Sequence, residues 1–304
     1  MARAEIVGPS SSFYVSQRLR LHYVDWGREG APPLVLVHGG RDHARSWDRV
    51  ALALRDAWRV VAPDLRGHGD SAWAVGGTYS IAEFVLDLAR LVDALDLPQV
   101  RLVGHSLGGA VVLQYAGLFP ERVARVVAIE GLGPSPELQA RIEATPAWKR
   151  LLDWIGSMDG LAARTPRRYA SIDEAAARMR EVNPHLDDAM ARHLTVHGVA
   201  RNEDGTFSWK FDNHVRAFAP VRLSGEEVRA IRARVACPVL LLRGEESWAS
   251  DPERDGRMAD FRDARLVNVP GAGHWVHHDR PEAFLRAVRG FLEEEAAAPA
   301  ARQG

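Results

Sequence analysis

Continuous apolar runs alternate with amphipathic segments along most of this chain of 304 residues. Segments 46–54, 80–95 and 281–295 repeat apolar residues at helical spacing, which predicts three helices. Residues 13–24 alternate apolar and polar positions, as an antiparallel edge hairpin does. The continuous runs predict strands buried on both faces, at residues 33–40, 59–64, 100–103, 123–130, 238–244 and 264–269. This alternation of strands and helices predicts an α/β fold with a mostly parallel, doubly wound sheet.

The strand pattern is interrupted between residues 133 and 221. This stretch is rich in Trp, Met and Arg, and an Asp204-Gly205 pair within it predicts a short hairpin. Its apolar spacing predicts helices at 136–143, 147–154, 172–182 and 187–193. We therefore predict a core with its first part at 1–132, an inserted helical cap at 133–221, and a second core part at 222–304 that ends in a disordered Ala/Pro tail.

Composition narrows the class of protein. The net charge of −1 offers no electrostatic footprint for nucleic acid or for an anionic membrane surface. The one cysteine, Cys237, excludes an intramolecular disulfide, and its apolar surroundings indicate a core residue. The N-terminus has no apolar signal segment and no apolar run approaches transmembrane length, so we expect a cytoplasmic protein.

One short motif organises the chemistry, the sequence Gly104-His105-Ser106-Leu107-Gly108 between a predicted strand and a predicted helix. A serine on so tight a turn has strained backbone angles, and the residues two before and two after it must lack bulky side chains. The turn sets the Ser106 hydroxyl at a helix N-terminus, where backbone N–H groups stabilise an oxyanion. The pattern predicts a nucleophilic serine.

Four motifs taken together resemble the α/β-hydrolase superfamily, within the group related to esterases, epoxide hydrolases and haloalkane dehalogenases. They are residues 38–40 (His-Gly-Gly), 64–71 (Asp-Leu-Arg-Gly-His-Gly-Asp-Ser), 104–109 around the serine, and 271–275 (Gly-Ala-Gly-His-Trp). They occur in the family's order and span nearly the whole chain. The resemblance implies a catalytic triad in the chain order nucleophile, acid, histidine. We assign a structural role to the polar loop at 64–71, because turn glycines and an arginine that ties neighbouring loops together explain its pattern.

The resemblance also implies which histidine is the base. His274 follows a predicted strand and a Gly-Ala-Gly turn, where the family has its base, and it would take the serine's proton. His38 resembles the family's structural histidine, and the His105 side chain is expected to point away from Ser106. His277 and His278 are expected to be solvated or to cap a helix.

Two backbone N–H groups are needed to hold an oxyanion. The first is expected from Leu107, directly after the nucleophile. The second is expected from the loop after the strand that ends at 38–39, with Gly40 favoured because a missing side chain lets the backbone approach a substrate.

The triad acid departs from the commoner pattern. Many members of the family have an aspartate three residues after the glycine that ends the strand at 238–244, but this chain has Ser247 there. A serine cannot balance an imidazolium. We favour Glu130, which ends the strand at 123–130, because carboxylates seldom end an apolar run unless they are paired or functional. Asp251 and Glu246, from the loop around Ser247, stay open as alternatives.

These assignments predict a serine hydrolase that cleaves small or medium carboxylic esters, lactones or thioesters through an acyl-enzyme. Ser106 argues against epoxide hydrolases and dehalogenases, which use an aspartate nucleophile. Carbon–carbon bond hydrolases and cofactor-free perhydrolases keep serine and remain alternatives, as does a hydrolase-like receptor without turnover. We expect a small-molecule ester substrate, no metal or organic cofactor, and no nucleic acid or membrane partner. The oligomeric state is left open.

Overall fold

The computed structural model describes residues 8–294, and a sheet of eight strands runs through this part of the chain. The strands are β1 (Ser10–Ser16), β2 (Leu19–Asp25), β3 (Pro33–Val37), β4 (Arg59–Pro63), β5 (Val100–His105), β6 (Val123–Ile129), β9 (Val239–Gly244) and β10 (Ala264–Val269), with β7 (Val199–Arg201) and β8 (Phe207–Trp209) forming a separate hairpin. The helices are α1 (Asp48–Leu54), α2 (Ile81–Ala94), α3 (Leu107–Leu118), α4 (Pro136–Ala144), α5 (Ala147–Ala162), α6 (Ile172–Val182), α7 (Asp188–Gly198), α8 (Gly225–Arg232), α9 (Val276–Asp279) and α10 (Pro281–Glu293).

The strand order is β1-β2-β4-β3-β5-β6-β9-β10. Strands β1 and β2 pair antiparallel at one edge, and the six strands from β4 to β10 run parallel. Strand β3 therefore lies between β4 and β5, where the direction of strand addition reverses. Crevices at the carboxyl ends of strands open at such reversal points, which are the usual ligand sites of doubly wound sheets.

Helices cover both faces of the sheet, as the apolar runs predict. Along β3, alternate residues belong to different hydrophobic clusters. Val35 and Val37 pack in one cluster with residues of α2 and α3, whereas Leu34 and Leu36 pack in the other with residues of α1 and α10. A strand buried on both faces needs an apolar side chain at every position, which explains the continuous run. The α/β fold with a mostly parallel sheet is confirmed.

Residues 133–221 lie between β6 and α8 and form α4 to α7 with the β7–β8 hairpin. Helix α7 packs through Leu194 and Ala191 against Leu186, while α4 and α5 bury no residue. Helix α5 continues to Ala162 instead of ending near 154. The division of the chain into core and cap stays a prediction.

Several local expectations were wrong. The helical segment predicted at 46–54 begins two residues earlier, as a 3-10 turn at Ala44–Trp47 followed by α1. His277 and His278 are buried within α9 and are not solvated. Strand β1 starts at Ser10, three residues before the predicted edge hairpin begins. The Ala/Pro tail lies outside the described residues. Within residues 8–294, no helix combines the length and apolar character needed to cross a bilayer.

The loop at 64–71 is structural, as expected. Its Arg66 guanidinium donates from Nε and Nη2 to the two carboxylate oxygens of Asp87 on α2, at 2.6 and 2.7 Å. Both side chains are buried, and Arg66 also contacts Glu83 and Gln17. The loop is thereby fixed to the helix packed on the sheet.

The turn at Ser106 is positioned by backbone groups that approach too closely for any side chain. A Cβ on Gly104 would lie 2.3 Å from the Gly108 carbonyl oxygen, and a Cβ on Gly108 would lie 2.2 Å from the Val37 carbonyl oxygen. Helix α3 can therefore start directly against the end of β3 because these two positions are glycine.

Replacement of Asp87 by alanine is expected to lower the free energy of unfolding by about 3–5 kcal/mol, because Arg66 would be left charged and buried without its main partner. Arg90→Ala, which removes an exposed partner of Asp93, is the control and should cost about 0–1 kcal/mol. Urea denaturation of both variants measures the difference. Equal losses would contradict a structural role for the buried pair.

Gly108→Ala is expected to cost more than about 4 kcal/mol or to prevent folding, because the new methyl group meets backbone that cannot move without opening the sheet. Gly156→Ala is the matched control. It lies within α5 with no atom within 4 Å of the new Cβ, and it should stabilise the protein by about 0.5–1 kcal/mol. Thermal unfolding followed by circular dichroism tests the pair, and a folded Gly108→Ala protein of normal stability would refute the prediction.

Candidate active site

Ser106 lies between β5 and α3 with backbone angles φ 50° and ψ −112°. A non-glycine residue with positive φ of this kind carries strain of about 1–3 kcal/mol, which persists where the surrounding structure imposes it. The Ser106 N–H donates to the Ile129 carbonyl at 2.8 Å, and this ties the turn to the end of β6. Ser106 is partly exposed, so its hydroxyl is not sealed in the core.

The loop after β3 lies against this turn. A Cβ on Gly39 would lie 3.5 Å from the Ser106 Cβ, and one on Gly40 would lie 4.0 Å from a methyl group of Leu107. The loops that carry the two expected oxyanion donors therefore lie side by side. His38 holds the loop, since its Nδ1 donates to the Gly39 carbonyl at 2.6 Å and its Nε2 accepts from the Leu65 N–H at 3.0 Å. Both ring nitrogens of His38 are thus occupied.

His274 and Glu130 are in direct contact. The His274 Nδ1 lies 2.5 Å from the Glu130 Oε2. An ionised carboxylate only accepts, so Nδ1 donates to it, and in the neutral ring this tautomer leaves the lone pair on Nε2. Among residues 8–294, the Ser106 hydroxyl makes no hydrogen bond. The structure thus brings two of the three predicted triad residues together and positions the third on the neighbouring strand end.

Three groups hold the Glu130 carboxylate, whose side chain is fully shielded from solvent. The Gly244 N–H donates to Oε1 at 2.9 Å, and the Ser247 hydroxyl donates to the same Oε2 that meets His274, at 2.5 Å. The residue itself has φ 50° and follows β6 directly. Hydrogen bonds to an ionised carboxylate are about twice as strong as neutral ones, so they offset the cost of burying it.

The alternative acids lie elsewhere. Asp251 accepts from the Glu253 N–H at 2.9 Å, within its own turn. Glu246 is exposed, and its carboxylate lies 3.7 Å from the His185 ring, in the loop between α6 and α7. Neither carboxylate hydrogen-bonds to His274 within the described part of the chain.

The loop that carries His274 rests on the strand ends around it. The His105 Nε2 donates to the His274 carbonyl at 2.9 Å, so the side chain beside the nucleophile supports the residue opposite. Burial holds the pKa of His105 well below its usual value. The Glu246 N–H donates to the Ala272 carbonyl at 2.9 Å, and a Cβ on Gly244 would lie 2.1 Å from the Gly273 oxygen.

Sequence reasoning missed the contacts of three residues with the His274–Glu130 pair, namely those of Ser247, Trp248 and His105. Ser247 stands where an aspartate was sought, but it donates to the acid. Trp248 is 80% exposed, and its ring lies 4.8 Å from the His274 ring. Trp275 packs on the cluster of Leu186, Ala191 and Leu194. The signal for Ser247 and Trp248 was their position directly after β9. For His105 there was no sequence signal.

Two groups of side chains outside this site have metal-ligand chemistry. One is Asp48 with His193 and His197, and the other combines His22 and Asp64 with Asp70. In the second group the Asp64 carboxylate already accepts from the His22 ring and from the Ala44 and Asp70 N–H groups. Burial alone would raise the pKa of Asp64, but these hydrogen bonds hold it below its usual value.

Known proteins resemble this chain over nearly all of its length. The sequence profile of the α/β-hydrolase fold matches residues 32–281. Esterase Rv0045c of Mycobacterium tuberculosis is 30% identical over 96% of this chain and 92% of that esterase. The 2-hydroxy-6-oxo-2,4-heptadienoate hydrolase of Pseudomonas putida is also 30% identical, over 86% of this chain and 90% of that enzyme. The crystal structure of the hypothetical protein PA1622 from Pseudomonas aeruginosa superposes with a TM-score of 0.82 at 27% identity, covering 93% of this chain and 99% of that one.

The sheet order, the strained turn between β5 and α3, and the histidine loop after β10 agree with that likeness. The profile match covers far more than half of the chain. This protein therefore belongs to the α/β-hydrolase fold family and is a hydrolase.

Proposed function

We propose that this hydrolase cleaves small or medium carboxylic esters through an acyl-enzyme on Ser106. The observation that carries the proposal is the 2.5 Å contact between His274 and the shielded Glu130 carboxylate, beside a strained serine at a helix N-terminus. Serine is a poor nucleophile unless a neighbouring base takes its proton, and a carboxylate behind that base stabilises the imidazolium that forms.

In the proposed reaction the Ser106 Oγ attacks the ester carbonyl carbon, and its proton passes to the His274 Nε2. The Leu107 and Gly40 N–H groups hold the oxyanion of the tetrahedral intermediate. Collapse of the intermediate breaks the ester C–O bond, and the leaving alcohol takes the proton from His274. A water molecule then attacks the acyl-enzyme by the same route and releases the carboxylic acid. The contact between Ser106 and His274 would form as substrate binds, since such hydrogen bonds are often loose without it.

A second candidate is hydrolysis of a carbon–carbon bond. It is favoured by the relative from Pseudomonas putida, which is named a 2-hydroxy-6-oxo-2,4-heptadienoate hydrolase. The same serine, base and oxyanion donors would serve, with a carbon leaving group protonated in place of an alcohol. We prefer ester hydrolysis because the relative from Mycobacterium tuberculosis, which is equally identical and matches more of this chain, is named an esterase.

A fluorophosphonate probe tests for an activated serine, and p-nitrophenyl esters of increasing acyl length test the reaction. We expect one equivalent of probe to attach, at Ser106 by mass spectrometry, with turnover of the acetate to octanoate esters. Ser106→Ala should neither label nor turn over. Absent labelling of the native protein would favour a receptor without turnover. Labelling with cleavage of a 2-hydroxy-6-oxodienoate, but of no ester, would favour the carbon–carbon reaction.

Glu130→Gln is expected to lower kcat for the best ester by about 10²–10⁴-fold, because an amide cannot balance the imidazolium and favours the wrong tautomer of His274. Asp251→Asn and Glu246→Gln are the matched controls and should stay within a few-fold of the native kcat.

Ser247→Ala removes one of the donors on Glu130 but leaves the Gly244 N–H in place, so the loss should be intermediate. Far-UV circular dichroism verifies that each variant folds. A folded Glu130→Gln enzyme with native kcat would overturn the assignment of the acid.

A further inference from the structure

A cluster of two histidines and an aspartate, none of them a residue of the hydrolase site, joins the inserted helical segment to the sheet core. His193 and His197 lie one turn apart on α7, so their side chains share a helix face. Their rings lie 4.7 Å apart and nearly perpendicular. Asp48, the first residue of α1, approaches them from the core, with its Oδ2 3.3 Å from the His193 Nε2.

The geometry of this cluster suits a metal ion. One ligand atom from each of the three side chains lies within 4.8 Å of the others. Ligand atoms around a tetrahedral Zn²⁺ lie about 3.4 Å apart when each is about 2.1 Å from the metal. The 3.3 Å separation of the Asp48 Oδ2 and the His193 Nε2 already meets this value. Two imidazoles and a carboxylate form a common zinc ligand set.

The cluster is also supported from behind and reachable from outside. The His43 Nε2 donates to the Leu194 carbonyl at 2.9 Å, so α7 is fixed against the turn that precedes α1. The His193 Nε2 donates to the Arg45 carbonyl at 3.0 Å, so this bond must break and the proton must leave before that nitrogen binds a metal ion. The His193 side chain is about one-third exposed.

Arg45 is the competitor for this site. Its guanidinium donates to both Asp48 oxygens, at 2.9 and 2.7 Å from Nε. Its side chain is 30% exposed and can turn towards solvent. A metal ion must therefore displace a cation from Asp48, which weakens binding. If a metal ion competes with Arg45 for Asp48, removal of the Arg45 charge should tighten metal binding, which a purely structural cluster would not show.

The other group of ligand-type side chains is a weaker candidate. Its Asp64 carboxylate is already bound by three hydrogen-bond donors that hold the loop at 64–71, so a cation would have to break these contacts. In the Asp48 cluster a cation would displace the partly exposed Arg45 side chain and the proton of His193, while both histidines share one helix face. We propose that Asp48, His193 and His197 bind a divalent transition-metal ion, with Zn²⁺ the best match, and that the ion fastens α7 to the core.

Isothermal titration of EDTA-treated protein with Zn²⁺, together with thermal unfolding, tests the site. We expect one equivalent to bind and to raise Tm by several degrees, because the ligands come from two parts of the fold. His193→Ala combined with His197→Ala should weaken binding at least tenfold. His214→Ala is the matched control, since His214 is a partly exposed histidine that pairs with Asp212. The Zn²⁺ affinity of the His214→Ala protein should equal that of the native protein.

The Zn²⁺ affinity of Arg45→Gln is a second test, one that removes no metal ligand. This variant should bind Zn²⁺ several-fold more tightly than the native protein, since the competing cation is gone. With Co²⁺, the native protein should show the visible absorption bands of a low-coordinate site. These bands should be absent from the double histidine variant. His274→Gln should keep the Zn²⁺ affinity, which separates this site from the hydrolase residues. Native affinity in the double variant, or no gain in Arg45→Gln, would overturn the proposal.

Discussion

Close backbone contact at the carboxyl edge of the sheet is the constraint on which the site depends. Gly108 presses against the end of β3, and Gly109 against Gly131 after β6, where a Cβ on Gly109 would lie 2.6 Å from the Gly131 Cα. Gly244 meets the loop of His274 in the same way. Five chain segments can touch only because these positions lack side chains: the end of β3, the start of α3, the segment after β6, the end of β9 and the loop of His274. The strain at Ser106 is a consequence, since a turn clamped on both sides cannot relax.

The position of the Glu130 carboxylate next to His274 also follows from the strand order. Strand β6 lies between β5 and β9 in the sheet, so a residue that follows β6 can reach both the nucleophile turn and the loop after β9. Glu130 uses this position to meet His274, Gly244 and Ser247 together. A shielded carboxylate would be costly if unpaired, and these donors offset that cost. Ser247 therefore complements Glu130, with a donor on one strand end and an acceptor on the next.

The sequence predicted what is local and repeated. The apolar runs located the parallel strands, and the G-x-S-x-G spacing located the turn, because both follow from steric rules within a few residues. The sequence favours Glu130 as the partner of His274 only because a carboxylate at the end of an apolar run is unusual. The contacts of Ser247 and Trp248 with this pair depend on which strands are neighbours, which no local pattern encodes. Burial of His277 depends on α9, four residues long, which is too short to leave a periodic pattern.

Burial also separates the histidines by chemistry. It lowers the pKa of His38 and of His278 to about 3, and that of His68 to about 4. It holds the pKa of His277 well below its usual value, and both nitrogens of that ring lack partners within the described residues. Such rings stay neutral and pack as aromatic groups, as His277 does on Trp47 at 4.5 Å. His274 is instead partly exposed, and its Nδ1 donates to the Glu130 carboxylate. Burial therefore keeps His105, whose ring packs 4.8 Å from the His274 ring, uncharged.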